Sequence, residues 1–149
     1  MPLSTVVAET RLRVRYAETD AMGIAHHSAY VPWLEVGRVE WLRALGVSYA
    51  QLERDGYALP VIEVRLRYVR PARFDDALIV RAALASIRSR EAQFVYEVLS
   101  DEERPFQLAN GMTRHMCLLR GNVARLPDAL LEAVRRAEQG ARATLGVAP

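Results

Sequence analysis

The chain contains no lysine; all 20 of its basic residues are arginine. Arginine offers a fixed charge and a planar fork that suits phosphate, yet codon usage or thermal adaptation explains the bias more simply. With 18 acidic residues the net charge is only +2. A charge that small, spread along the whole chain, argues against a nucleic-acid footprint. Cysteine is nearly absent as well. Cys117 stands alone, which excludes an internal disulfide. No apolar run approaches the ~18 residues that a membrane span needs. Residues 1–9 lack the basic start and long apolar stretch of a signal peptide. Together these absences lead us to expect a cytoplasmic chain, not membrane-spanning, in a reducing compartment.

At 149 residues, 51% hydrophobic and 26% charged, the chain has the size of one domain, residues 1–149, and enough apolar material for a core. Residues 10–16 alternate, with Leu12, Val14 and Tyr16 on one side and Arg11, Arg13 and Arg15 on the other. Period two with one polar face predicts a half-buried strand. A polar turn follows, from Ala17 to about His27, and feeds a helix predicted over residues 29–45. Tyr30, Leu34, Gly37, Trp41 and Leu45 recur at spacings of three and four. Trp33, Val36, Val39 and Leu42 widen the apolar surface, so the helix should be covered on several sides. Glu35 with Arg38, and Glu40 with Arg43, are spaced to pair at i,i+3. Pro32 confines the helix start to the neighbourhood of Ser28. Gly46 is placed to stop the helix, and Gly37 leaves room for a strand to approach it.

Residues 47–56 read as a short second helix, capped by Ser48 and ended by Gly56. The pattern then changes to strands at 60–70, 77–88, 92–100 and 105–119, separated by a breaker-rich turn at 70–76 and hairpin-length connections at 88–91 and 101–104. Pro127 opens a last helix over residues 128–139, which Gly140 is expected to end. The sum is an α+β chain, an antiparallel five-stranded sheet wrapped around one long central helix. Such a sheet has exposed edges, and a homodimer that continues the sheet is the natural remedy.

Chemically capable side chains crowd into residues 16–30. Asp20-x-x-Gly23 is by itself the pattern of a type I turn. The same carboxylate lies beside a helix N-terminus, whose dipole favours an anion. It can act as a general base on water or attack a carbonyl directly. His27 is, on local grounds, a cap or a surface residue; alternatively it orients water or assists a leaving thiolate. Ser28 reads as a cap, since no nucleophile elbow surrounds it, and His26 reads as pocket lining. Adjacent histidines rarely point to one ion and no i,i+4 partner follows, so no metal is expected. The backbone N–H groups of His27 and Ser28, at the helix start, are free donors suited to an oxyanion. Further along, Arg88 and Arg90 flank a hairpin and either are solvated or meet phosphates. His115 and Cys117 share a strand face, with core packing preferred over a Cys–His nucleophile pair.

Two patches resemble a known family. Tyr16-x-x-Thr19-Asp20-x-x-Gly23-x-x-x-His27-x-x-Tyr30-x-x-Trp33-x-Glu35-x-x-Arg38 is similar to the opening motif of the 4-hydroxybenzoyl-CoA thioesterase family, most of all to its bacterial Tol–Pal-associated branch. Tyr68-Val-Arg-Pro71-Ala-Arg-Phe-Asp75-Asp76 resembles that family's second signature. The resemblance covers about residues 10–120. It implies a hot-dog fold, homodimers often paired into dimers of dimers with active sites at the dimer interface, and hydrolysis of acyl-CoA thioesters. It implies a catalytic role for Asp20, sets His27 at the branch's histidine before the helix with an assisting role, and implies basic residues near the turn of Arg88 and Arg90. The candidate substrate-binding residues are His26, Tyr30, Arg88 and Arg90. Coenzyme A enters as part of the substrate, and no separate cofactor is implied. One position departs from the branch, which has an aromatic residue before the histidine; here it is His26, preceded by Ala25, which bears on the acyl pocket. Two other readings stay open: an acyl-thioester dehydratase using Glu35 or Glu40, and a non-catalytic acyl-CoA-binding module.

Overall fold

The computed structural model describes residues 6–144. In chain order its elements are β1 (Val7–Arg13), α1 (Tyr30–Ala44), α2 (Tyr49–Arg54), β2 (Tyr57–Ala58), β3 (Val61–Tyr68), β4 (Ala77–Ile87), β5 (Glu91–Ser100), β6 (Gln107–Met116), β7 (Leu118–Leu119), β8 (Asn122–Val123) and α3 (Asp128–Thr144). Five strands form one sheet in the order β1-β4-β5-β6-β3, with every neighbour antiparallel. Period two does the sorting. Along β5, Ala92, Phe94, Tyr96, Val98 and Ser100 are buried, while the residues between them are half-buried on the other face. Irregularities in register between Leu84 and Ser86, and between Val98 and Leu99, break the ladder within the sheet; bulges of this kind add local bend and twist.

α1 lies in the concave face. It buries Tyr30, Trp33, Leu34, Gly37, Trp41 and Leu42, a stripe at spacings of three and four. Trp41 meets Phe94 edge-on with ring centroids 5.2 Å apart. Gly37 is the point of closest approach: a Cβ there would stand 2.7 Å from Val80 Cγ1. The expected glycine stop is also present, Gly46 turning the chain at φ +81°. Ser48 caps α2 by accepting the Gln51 amide at 3.2 Å.

Several expectations are corrected. β1 begins at Val7 and ends at Arg13, so Tyr16 leaves the strand for a single 3-10 turn and stands 77% exposed against Phe74. The Val14 amide still pairs with Asp76 O, one step beyond the Arg13–Ala77 pair, and the Glu18 amide then closes on Arg15 O and turns the chain out of the strand. α1 is covered on one side only, and Val31 and Val36 stay exposed, because one curled sheet reaches one face. Glu40 pairs with Arg43 as expected, but Arg38 turns inward to the Tyr96 hydroxyl at 3.3 Å rather than to Glu35. α3 continues through Gly140 to Thr144. An interior glycine weakens a helix by only about 1 kcal/mol. The small sheet β2-β7-β8 was not anticipated, because two-residue strands carry no readable period.

Strand order brings a loop to the start of the helix. β3 sits at the edge beside β6, while β4 pairs in the interior of the sheet. The chain therefore crosses back through residues 69–76, and the crossing carries Ala72 and Arg73 past the start of α1.

Candidate functional site

The residues before α1 form a miniature hairpin. The Asp20 amide donates to Ile24 O at 2.9 Å and the His26 amide to Glu18 O at 2.7 Å, with Thr19 bridged to Ala25 between them. At the tip, the Gly23 amide returns to Asp20 O at 2.9 Å, and Gly23 takes φ +76°, a conformation that glycine adopts without strain. Asp20 Oδ1 accepts the Met22 amide at 2.8 Å. The turn reading and the functional reading of Asp20 are thus compatible: one oxygen holds the turn, and among the described residues the other receives no hydrogen bond. The second arm of the hairpin docks on the crossing segment, the Ala25 amide donating to Ala72 O at 2.7 Å and Ile24 bridging Arg73.

The helix begins with one 3-10 turn, His27–Ala29, before Tyr30 opens α1. Its cap is His26, whose Nδ1 accepts the Ser28 amide at 3.1 Å and lies 2.7 Å from Ser28 Oγ. This corrects two expectations. His26 caps the helix and is not in the cavity wall, and the Ser28 amide is engaged by an imidazole, so it is not free for an oxyanion. Ser28 is the capped residue and not the cap. The His27 amide is the first of the turn and has no helical acceptor before it. The Tyr68 hydroxyl donates to His27 O at 3.0 Å and fixes that peptide from the β3 side.

Asp20, His27, Tyr30 and Tyr68 meet at a cavity of about 410 Å³, completed by Met22, Ile24, Ala25, Val69, Arg70 and Pro71. Its wall is mostly apolar, with a few polar groups converging, as small-molecule sites are. Burial raises the Tyr30 phenol above its ordinary value, and Tyr68 adds to the rise while the Ala72 amide opposes it. Burial raises Tyr68 too. Both remain O–H donors across the neutral range. Their rings meet edge-on at 5.0 Å. Arg70 holds its guanidinium 4.9 Å from the Phe106 ring centroid at the cavity rim.

One residue of this framework was passed over by sequence reasoning. Glu18 accepts the Arg15 amide through Oε1 at 2.7 Å and the Trp33 indole N–H through Oε2 at 2.8 Å. Burial works to raise its carboxyl, but the Arg15 amide, the Trp33 indole and the Arg15 side chain outweigh it and hold it below the usual carboxylate value. The only signal was an acid two residues before Asp20, indistinguishable on local grounds from a surface charge. Tyr68 was legible as part of the second signature, though not as a partner of His27.

Other candidates lie elsewhere. Arg88 and Arg90 follow β4 at the end away from Asp76, and β4 is 11 residues long, which separates them from the Ala72–Asp76 crossing by roughly 30 Å. Within one chain they are not brought to the cavity. Glu35 is exposed and Glu40 is paired with Arg43, and within one chain neither lines the cavity. His115 and Cys117 are fully buried, and burial raises the Cys117 thiol, which makes core packing the correct reading. Among the described residues no three His, Cys, Asp or Glu side chains gather as a metal site, and no helix is long and apolar enough to cross a membrane.

Against known proteins, residues 14–134 match the model of the thioesterase-like superfamily. The crystal structure of a hypothetical protein from Thermus thermophilus is 40% identical, with a TM-score of 0.82 over 87% of this chain and 98% of that one. A DHNA-CoA thioesterase from Staphylococcus aureus is 25% identical, with a TM-score of 0.83 over 96% and 97% of the two chains. The acyl-CoA thioester hydrolase YbgC of Escherichia coli is 31% identical over 100 residues, 67% of this chain and 75% of that protein.

Proposed function

The chain belongs to the thioesterase-like superfamily, and from that premise we propose that it hydrolyses an acyl-CoA thioester to a free acid and coenzyme A at the Asp20–His27 cavity. It is a hydrolase with the hot-dog fold. The observation that carries the proposal is the convergence in one cavity of a half-engaged carboxylate with the first turn of the long helix.

In this reading the free oxygen of Asp20 removes a proton from water as the water attacks the thioester carbonyl carbon. The carbonyl electron pair moves onto oxygen, where the His27 amide stabilises it. Collapse of the tetrahedral intermediate breaks the C–S bond and expels the thiolate, with the His27 ring beside it to supply a proton. Asp20 can instead attack the carbonyl itself to give a mixed anhydride that water then hydrolyses; both routes use the same free oxygen. The oxyanion site narrows from two amides to that of His27, since Ser28 N–H is committed to His26. Losing one such donor costs about 10²–10³-fold in rate. Coenzyme A arrives as part of the substrate, and no step draws on a resident cofactor. The single buried thiol suits a reducing compartment.

The second part of the proposal is assembly. β3 has β6 on one side only and leaves Val61, Ile62, Val64 and Tyr68 exposed. A second copy that pairs along this edge would cover them and close over the cavity's Tyr68 wall.

Asp20→Asn tests the mechanism. Thiol release should fall by at least ~10²-fold, with the thermal transition and acyl-CoA binding retained. Turnover of this variant at the wild-type rate would refute the role of the carboxylate.

A further inference from the structure

Glu18 does not line the cavity, yet three parts of the site's framework meet on it. Its side chain is 8% exposed, a costly place for a charge unless the charge is hydrogen-bonded. Oε1 receives the Arg15 amide, at the point where the chain leaves β1, and Oε2 receives the Trp33 indole from α1. Its backbone carbonyl receives the amide of His26, the residue before His27. Asp20 lies two residues along the same hairpin arm. The Asp20–Ile24 and His26–Glu18 bonds lock the two arms together, so a shift at the Glu18 base moves Asp20 and the His27 peptide relative to the helix.

We propose that Glu18 is a positioning residue: by tying the base of the hairpin to Trp33 it fixes the Asp20 carboxylate against the His27 amide, and turnover depends on that tie. The proposal rests on the reading of Asp20 and His27 as the reacting groups. Its physical basis is geometric. The Arg15 amide and the Trp33 indole converge on the two oxygens of one side chain, with the Arg15 guanidinium beside them, and only a carboxylate accepts at both oxygens. Displacements near 1 Å at a reacting group cost on the order of 10²-fold in rate.

Glu18→Gln keeps the volume but turns an NH₂ toward one of the two donors. Trp33→Phe removes the same contact from the other side and leaves the carboxylate with Arg15. Both variants, their double combination and Asp20→Asn are compared by steady-state thiol release from an acyl-CoA that the wild type hydrolyses. In each single variant kcat should fall by about 10- to 10²-fold, with KM within about threefold and a cooperative thermal transition retained. The double variant should be no slower than the slower single, because both substitutions break one contact. The kcat–pH profile of Glu18→Gln should keep its shape at a lower plateau, since Glu18 transfers no proton.

A wild-type kcat in either single variant overturns the proposal. So does a raised KM at unchanged kcat, which would make Glu18 a substrate contact, or loss of the acid limb of the profile, which would make it a base. Multiplicative losses in the double variant would also overturn it. Should Glu18→Gln fail to fold, Trp33→Phe decides by the same kcat criterion. An inactive Asp20→Asn beside a fully active Glu18→Gln defeats only this inference. A fully active Asp20→Asn defeats the underlying mechanism.

Discussion

At the scale of single residues, the buried polar groups impose directions on their protons. His115 Nδ1 lies 2.9 Å from Leu59 O, a pure acceptor, so Nδ1 carries the hydrogen. Nε2 must then accept from Thr113 Oγ1 at 2.8 Å. The Thr113 oxygen accepts from the Tyr96 hydroxyl at 2.6 Å, and the Tyr96 oxygen accepts from Arg38 at 3.3 Å. The line runs from α1 through β5 and β6, and it is satisfied only while the imidazole is neutral. Burial lowers the His115 pKa to about 4; the Leu59 carbonyl works against this and the Arg38 charge works with it. The unfolded imidazole titrates near 6.5, so the unfolded chain binds the extra proton first. Stability from this group is complete above pH 6.5 and is lost as pH falls toward 4, by up to about 3 kcal/mol. Denaturant titrations at pH 7 and pH 5 should show the drop, and His115→Gln should flatten it. The low carboxyl of Glu18 acts in a lower window, below the ordinary value of 4.5, so the two effects separate. None of this was legible in the sequence beyond a preference for packing, because a strand pattern places His115 on a face but does not say which carbonyl lies above it.

At the scale of elements, the junction of α1 with β4 is set by a missing side chain. Gly37→Ala should gain about 1 kcal/mol in helix propensity but force a Cβ to 2.7 Å from Val80 Cγ1. Val80 is fully buried and cannot retreat. The clash should prevail, with a net loss of about 1–3 kcal/mol by urea unfolding. Adding Val80→Ala should recover part of the loss, a coupling expected only for residues in contact. Elements were the level best read in advance. The spacing of Tyr30, Leu34, Gly37 and Trp41 located α1 to within a residue at each end, and Ser48 and Gly46 marked real boundaries. β1 was carried too far because Tyr16 continues the alternation although the chain has already entered the 3-10 turn at Tyr16–Glu18.

At the scale of the whole molecule, the exposed β3 edge governs assembly. Val64 pairs in register with the buried Thr113 and so lies on the inner face. Val64→Lys places an inward-pointing charge on an edge strand, a device that blocks edge pairing. Sedimentation velocity should show the wild type as a dimer or larger and the variant shifted toward monomer. A monomeric wild type at micromolar concentration would refute sheet continuation.

The sequence by itself determined the α+β class, the length of α1 and the stripe it buries, the turn at Asp20–Gly23 and the family to which the two signatures belong. These rest on local periodicity and on residue types at fixed spacing. Only the tertiary structure decided which candidates share a site. It brought Tyr68 to the His27 carbonyl across 41 positions of chain, gave the cap to His26, spent the Ser28 amide on it, and left Arg88 and Arg90 at the far end of β4. It also lifted Glu18 from an unremarked acid to the joint between hairpin and helix. The reason is physical: a hydrogen bond depends on where a donor and an acceptor come to rest, and for residues on different elements that is settled by strand order and helix docking, which no local pattern encodes.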